Sequence, residues 1–295
     1  MYCILVNLTT LIYINAIIMI ALKKLQHVKT EKIRDDGIPR FYITGDKHRD
    51  FRSVKKFCIE KHTRKYDVLI ILGDAGLNYY GDGRDDKLKA EISALNITIL
   101  SLQGNKEKRP QNIETYGIRN FYGGKVYYEP QYPNLYFAKD SEVYTFAGKK
   151  YMAVGGASSV DKFYCMEKGL PYFEDEMPDD AVKEQVKKRL RSEKNEIYGM
   201  LTHTCPMRYL PREMFLSVRR PSGAGRQKKK QNEGTAFVPH IDRGTEEFLE
   251  EIENMTDYSV WYCGHYHVDK SIDKIHMMYR KIRQLDAFSA EERYE

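Results

Sequence analysis

Cysteine is scarce and scattered in this chain. The five cysteines, Cys3, Cys58, Cys165, Cys205 and Cys263, are odd in number and form no CxxC pair. That excludes a disulfide framework and a cysteine zinc site, and it favours a reducing compartment. No internal repeat is present, which excludes a solenoid. Acid is missing from one stretch: Arg219 to Lys230 holds six basic residues, within a net charge of +6. Such a stretch attracts polyanions through screened electrostatics. It lacks the interleaved aromatics of a single-strand nucleic-acid surface, and a solvated loop explains it equally. Charge is missing from another stretch, Met1 to Leu22, which Lys23 and Lys24 follow. A membrane span needs about 20 apolar residues, but Asn7, Thr9, Thr10 and Asn15 interrupt this one. No basic segment precedes it, so a cleaved signal peptide fits poorly. Two readings stand. The run is an anchor whose lysines hold the main domain in the cytoplasm, or it is an upstream extension with Met19 as the true start.

The chain has 295 residues, 42% apolar and 31% charged, enough for one large domain or two small ones with a real core. The expected organisation is an apolar run and linker over 1–37, a main domain over 38–282 and a polar tail over 283–295. Within the main domain, apolar runs predict strands over 38–44, 67–72 and 97–102. Helical spacing over 50–63 and 85–95 falls between them. This β-α-β-α-β order predicts an α/β sheet with helices packed on it. The segments 134–137, 142–146 and 149–154 read as antiparallel strands or hairpins. A charged helix over 179–194, a strand over 197–202, a helix over 244–255 and a strand over 257–263 follow.

Polar residues collect where strands end. Gly45-Asp46-Lys47-His48 follows the first strand, Gly73-Asp74 the second and Gly104-Asn105 the third. His203 follows the strand at 197–202, and Gly264-His265-Tyr266-His267 the last. Sites in open α/β sheets form at the carboxyl ends of strands. Each residue alone has an ordinary explanation, since Asp and Asn cap helices and Gly-Asp is a common turn. Five such residues in register with five strand ends point to one shared site. In an extended segment His265 and His267 face the same way, which suits metal ligation. The mixed oxygen and nitrogen donors suit Mn²⁺, Fe or Zn²⁺ rather than Ca²⁺. Seven candidate ligands exceed the need of one ion and suit two.

The blocks GDKHRD, LGDAG, QGNKE, LTHTCP and GHYH, in this order, resemble those of the calcineurin-like metallophosphoesterases. The resemblance spans roughly Ile38 to Ile282 and rests on the set of five rather than on any single block. It implies a four-layer α/β/β/α sandwich. It implies that Asp46, His48 and His267 bind a first divalent ion. Asn105, His203 and His265 would bind a second, and Asp74 would bridge both. The implied activity is hydrolysis of a phosphomonoester or diester by a hydroxide held between the ions. One position departs from the pattern. The family usually has a histidine after the GN of its third block, where it stabilises charge or protonates the leaving group; here it is Lys106. Lys47 and Arg49 add further positive charge to the first block. Lys106 is then either a catalytic residue, as phosphate clamp or proton donor, or the mark of a weakened paralogue that binds phosphorylated or nucleic-acid ligands without turnover.

Overall fold

The computed structural model describes residues 37–212 and 241–285. They belong, from Pro39 onward, to one compact unit. The strands are β1 (Phe41–Thr44), β2 (Val68–Ile71), β3 (Thr98–Ser101), β4 (Gly117–Phe121), β5 (Gly124–Tyr128), β6 (Leu135–Ala138), β7 (Val143–Phe146) and β8 (Lys149–Val154), then β9 (Gly199–Thr202), β10 (Val260–Cys263), β11 (Lys270–Ile272), β12 (Ile275–Met277) and β13 (Arg283–Gln284). The helices are α1 (Arg52–Glu60), α2 (Asp86–Ser93), α3 (Lys162–Lys168), α4 (Asp180–Ser192) and α5 (Gly244–Met255).

Two sheets form. One has the order β13-β1-β2-β3-β6-β5-β4, the other β11-β12-β10-β9-β8-β7. Parallel pairing joins β1, β2, β3 and β6 in the first sheet, and β8, β9, β10 and β12 in the second. Central parallel strands are covered on both faces, which is why β2 reads Val-Leu-Ile-Ile without polar alternation. The side-chain period of two sorts these residues into layers. Ile43, Ile70 and Leu100 of the first sheet share a core with Tyr151, Ala153, Leu201 and Tyr262 of the second. The intervening residues face outward. Leu69, Ile71 and Ile99 pack with Val54, Phe57 and Ile92 of α1 and α2. Met152, Met200 and Trp261 pack with Val186, Leu190, Phe248 and Leu249 of α4 and α5. The result is the expected α/β/β/α order.

Several details differ from the sequence reading. Only β7 and β8 form a hairpin among the three segments expected to pair antiparallel with one another. The first of them, β6, lies in the other sheet, where it is antiparallel to β5 as expected of such a strand but parallel to β3. The hairpin β4–β5 lacks an obvious apolar alternation. Its turn is signalled by Tyr122 and Gly123, both at positive φ (45° and 88°), which suits a tight hairpin. The domain also runs past 282. β13 pairs with β1, and Leu285 is buried, so packed residues reach at least Leu285; residues 286–295 lie outside the described residues. So do Met1 to Leu22 and Arg219 to Lys230. Among the described residues no helix is long and apolar enough to cross a membrane.

Ile70, 0% exposed between the sheets, and Ile59, 75% exposed on α1, give a direct test of the layering. Ile70→Ala should lower unfolding stability by about 2–5 kcal/mol. Ile59→Ala should change it by less than about 0.5 kcal/mol. Denaturant titration of both variants checks this.

Candidate metal centre

The loops that leave β1, β2, β3, β9 and β10 meet at one place. Asp46 is buried and each of its oxygens has a task. Oδ1 accepts the backbone N–H of His265 at 2.9 Å, and Oδ2 lies 3.2 Å from His267 Nε2. Asp74 repeats the pattern. Its Oδ1 accepts the backbone N–H of Lys106 at 2.8 Å. Its Oδ2 lies 3.9 Å from His48 Nδ1 and 3.8 Å from His203 Nε2. Each carboxylate thus has one oxygen fixed by the backbone and the other turned towards imidazoles. Asn105 Oδ1 lies 2.8 Å from His203 Nε2 and 3.0 Å from His265 Nδ1. His48 Nε2 and His267 Nε2 are 2.8 Å apart. All seven residues expected to ligate metal are therefore together.

Whether these residues fit divalent cations follows from their chemistry. Among the described residues, the ion-pair partners of Asp46 and Asp74 are histidines alone. Asp46, His48 and His267 bring ligand atoms within 4.8 Å of one another, and so do Asp46, Asp74 and His203. Burial pushes the Asp46 carboxyl up, but the hydrogen bond with His267 and the field of His203 outweigh it and hold it at about 2. Burial and His203 push His265 down to about 3. An ionised carboxylate and a neutral imidazole are the forms that bind metal. His48 and His267, with side chains 39% and 45% exposed, mark the solvent side. The donor set fits.

The backbone here is strained. His48, Asp74, His265 and His267 all have positive φ, at 44°, 51°, 69° and 52°. Non-glycine residues in this region cost on the order of 1–3 kcal/mol each and cluster at functional sites. The glycines matter mostly for close approach rather than for turning. A Cβ on Gly104 would stand 1.9 Å from Asp74 Oδ1, and one on Gly264 would stand 2.6 Å from Asp46 Oδ1.

The three added cations do not converge on the ligands. Lys106 Nζ is ion-paired with Asp161, just before α3, and lies 3.8 Å from Cys165 Sγ. Lys47 is buried and donates to Tyr279 O at 2.9 Å; burial brings its amine down to about 8. Arg49 binds Asp85 and Gly76 O, tying the first block to the loop after β2. Glu107, which the sequence reading gave no role, accepts the backbone N–H groups of Gly104 and Gly76 at 3.2 and 3.1 Å. Burial, then the charge of Asp74, raises its carboxyl to about 8. Ser159 is a second residue not foreseen: Asn105 Nδ2 donates to its Oγ at 2.8 Å. The signal for it is Gly155-Gly156 directly after β8, the glycine-after-strand pattern also found after β1, β2, β3 and β10.

Fold and site together define a two-sheet α/β domain with a polar centre fit for divalent metal. The chain belongs to the calcineurin-like phosphoesterase family, whose model matches residues 39–269. A search of curated proteins returns no match. Among solved structures, the protein TT1561 of Thermus thermophilus is 12% identical, covering 84% of this chain and 98% of its own, with a TM-score of 0.42. Another is 14% identical, covering 82% and 90%, with a TM-score of 0.43.

Gly104→Ala should displace Asp74 and weaken Mn²⁺ binding by about tenfold or more. Gly83→Ala, whose Cβ would meet nothing closer than 3.5 Å, should leave binding unchanged. Equilibrium dialysis with elemental analysis distinguishes the two.

Proposed function

We propose that the protein is a metal-dependent phosphoesterase acting on a phosphomonoester or phosphodiester. Asp46, His48 and His267 would hold one ion, Asn105, His203 and His265 another, and Asp74 both. The observation that carries this reading is the position of Asp74 Oδ2, 3.9 Å from a ring nitrogen of His48 and 3.8 Å from one of His203. With its other oxygen held by Lys106 N–H, this carboxylate is presented to both sides at once. Two ions bound there, of Mn²⁺, Fe or Zn²⁺ type, would neutralise phosphoryl charge and supply an acidified water.

The residues around the ligands set what the substrate must bring. Lys106 directly follows the candidate ligand Asn105, and Asp161 engages its ammonium. A positioned general acid contributes about 10²–10⁴-fold. With the amine held in an ion pair, that contribution is small. Leaving groups that need little protonation, such as nitrophenolate, should therefore depart faster than alkoxides. The same ion pair favours a second reading, in which the centre binds metal and a phosphorylated ligand without turnover.

The full chain should carry two Mn²⁺ and hydrolyse nitrophenyl phosphate or bis-nitrophenyl phosphate faster than an alkyl phosphate. Asp74→Asn should lower the rate by about a hundredfold or more and leave less than one ion per chain. Two bound ions with no turnover of any phosphoester would favour the second reading, and fewer than two ions in the unaltered chain would refute the paired assignment.

A further inference from the structure

The amide of Asn105 could sit in its place either way round, because its oxygen and nitrogen ends have nearly the same shape. His203 taken alone favours the wrong way. His203 Nδ1 lies 2.7 Å from Leu72 O, which only accepts, so in the neutral ring that binds metal this nitrogen carries the proton. Nε2 is then a lone pair, and it faces Asn105 Oδ1 at 2.8 Å. Two lone pairs at that distance repel unless a cation lies between them. A rotated amide would instead donate Nδ2–H to His203 and turn its oxygen away. His265 Nδ1, 3.0 Å from the same oxygen, favours the inward orientation only while it carries a proton, and it loses that proton on binding metal. A hold on the NH₂ end therefore has to fix the amide.

That hold comes from the loop after β8. Ser159 is 6% exposed and Glu176 is 3% exposed. Asn105 Nδ2 donates to Ser159 Oγ at 2.8 Å. The Ser159 hydroxyl has one proton, and Asn105 O, which only accepts, takes it at 3.4 Å. The buried Glu176 carboxyl, pushed up by burial, lies alongside and interacts with the Ser159 side chain and N–H. The hydroxyl then meets Asn105 as an acceptor and takes the amide NH₂. The loop is itself anchored to the one that carries Asn105: Gly156 N donates to Gln103 O at 2.9 Å. Ala157 N donates to Glu176 O at 3.2 Å, which fixes the other side. Gly156, at φ +90°, has no room for a side chain, since a Cβ would stand 2.5 Å from Glu176 O.

We infer that Ser159, backed by Glu176, is a positioning latch that keeps the Asn105 oxygen aimed at the second metal position. Neither residue is a candidate ligand; they act by fixing the rotamer of Asn105. The inference rests on the two-metal reading above.

The test is a double-mutant cycle read by Mn²⁺ titration of the full chain in a calorimeter, with the metal-free thermal midpoint as a check on folding. Ser159→Ala should weaken one of the two Mn²⁺ by about ten- to a hundredfold, the range for partners that orient a ligand. The metal-free midpoint should barely move. Ser159→Thr, which keeps the hydroxyl, should bind both ions within about threefold of the parent. The decisive variant is Asn105→Asp, whose carboxylate has two equal oxygens and no wrong orientation. In that background, adding Ser159→Ala should change Mn²⁺ affinity by less than about threefold. If Ser159→Ala does not fold, Ser159→Cys replaces it, because sulfur is a weak acceptor of similar size; the same weakening is expected. An equal loss in both backgrounds, or no loss in the parent, overturns the latch. A chain that binds no Mn²⁺ at all overturns the two-metal reading and the latch with it. Two tight ions in both parent and Ser159→Ala overturn the latch alone.

Discussion

Asp46 and Asp74 are buried where two sheets end, and histidines are their only ion-pair partners among the described residues. Burying a carboxylate costs several kcal/mol unless charge or hydrogen bonds offset it. Backbone N–H groups satisfy one oxygen of each, from His265 for Asp46 and from Lys106 for Asp74. The second oxygens are left facing imidazoles, which offer lone pairs as readily as protons. This concentration of electron-rich atoms is the constraint on which the centre depends. A divalent cation satisfies it.

The two-sheet architecture makes that concentration possible. Each sheet brings its own parallel strands to the shared edge, so ligands from sequence positions as distant as Asp46 and His267 lie 3.2 Å apart. The cost is backbone strain at four of the candidate ligands, and the surrounding structure holds it. Glu107 bridges the loops after β2 and β3. Gly104 lets Asp74 come closer than any Cβ would allow. The cations of the first and third blocks are drawn into this support. Arg49 goes to Asp85 and Lys47 to a carbonyl, and Lys106 goes to Asp161.

The layers and the meeting of the candidate ligands were legible because both follow short periods. Continuous apolar runs such as Val68–Ile71 mark doubly covered strands, and glycine followed by Asp or Asn marks where they stop. The hairpin β4–β5 was not legible, since its outward residues are exposed and its apolar signal is weak. The partners of Lys47, Arg49 and Lys106 were hidden for a different reason. A cation near a ligand in sequence can point anywhere, and the acids that take these side chains lie 36 and 55 residues away for Arg49 and Lys106. Ser159 lay within reach, because Gly155-Gly156 marks a further strand end with the glycine seen after β1, β2, β3 and β10.

Crystals of the full chain grown with Mn²⁺, with anomalous diffraction collected at the manganese edge, examine the central claim most directly. Two peaks should stand about 3.5–4 Å apart with an Asp74 oxygen between them. One peak should be flanked by Asp46, His48 and His267, the other by Asn105, His203 and His265. A single peak, or two peaks that do not share Asp74, would contradict the account.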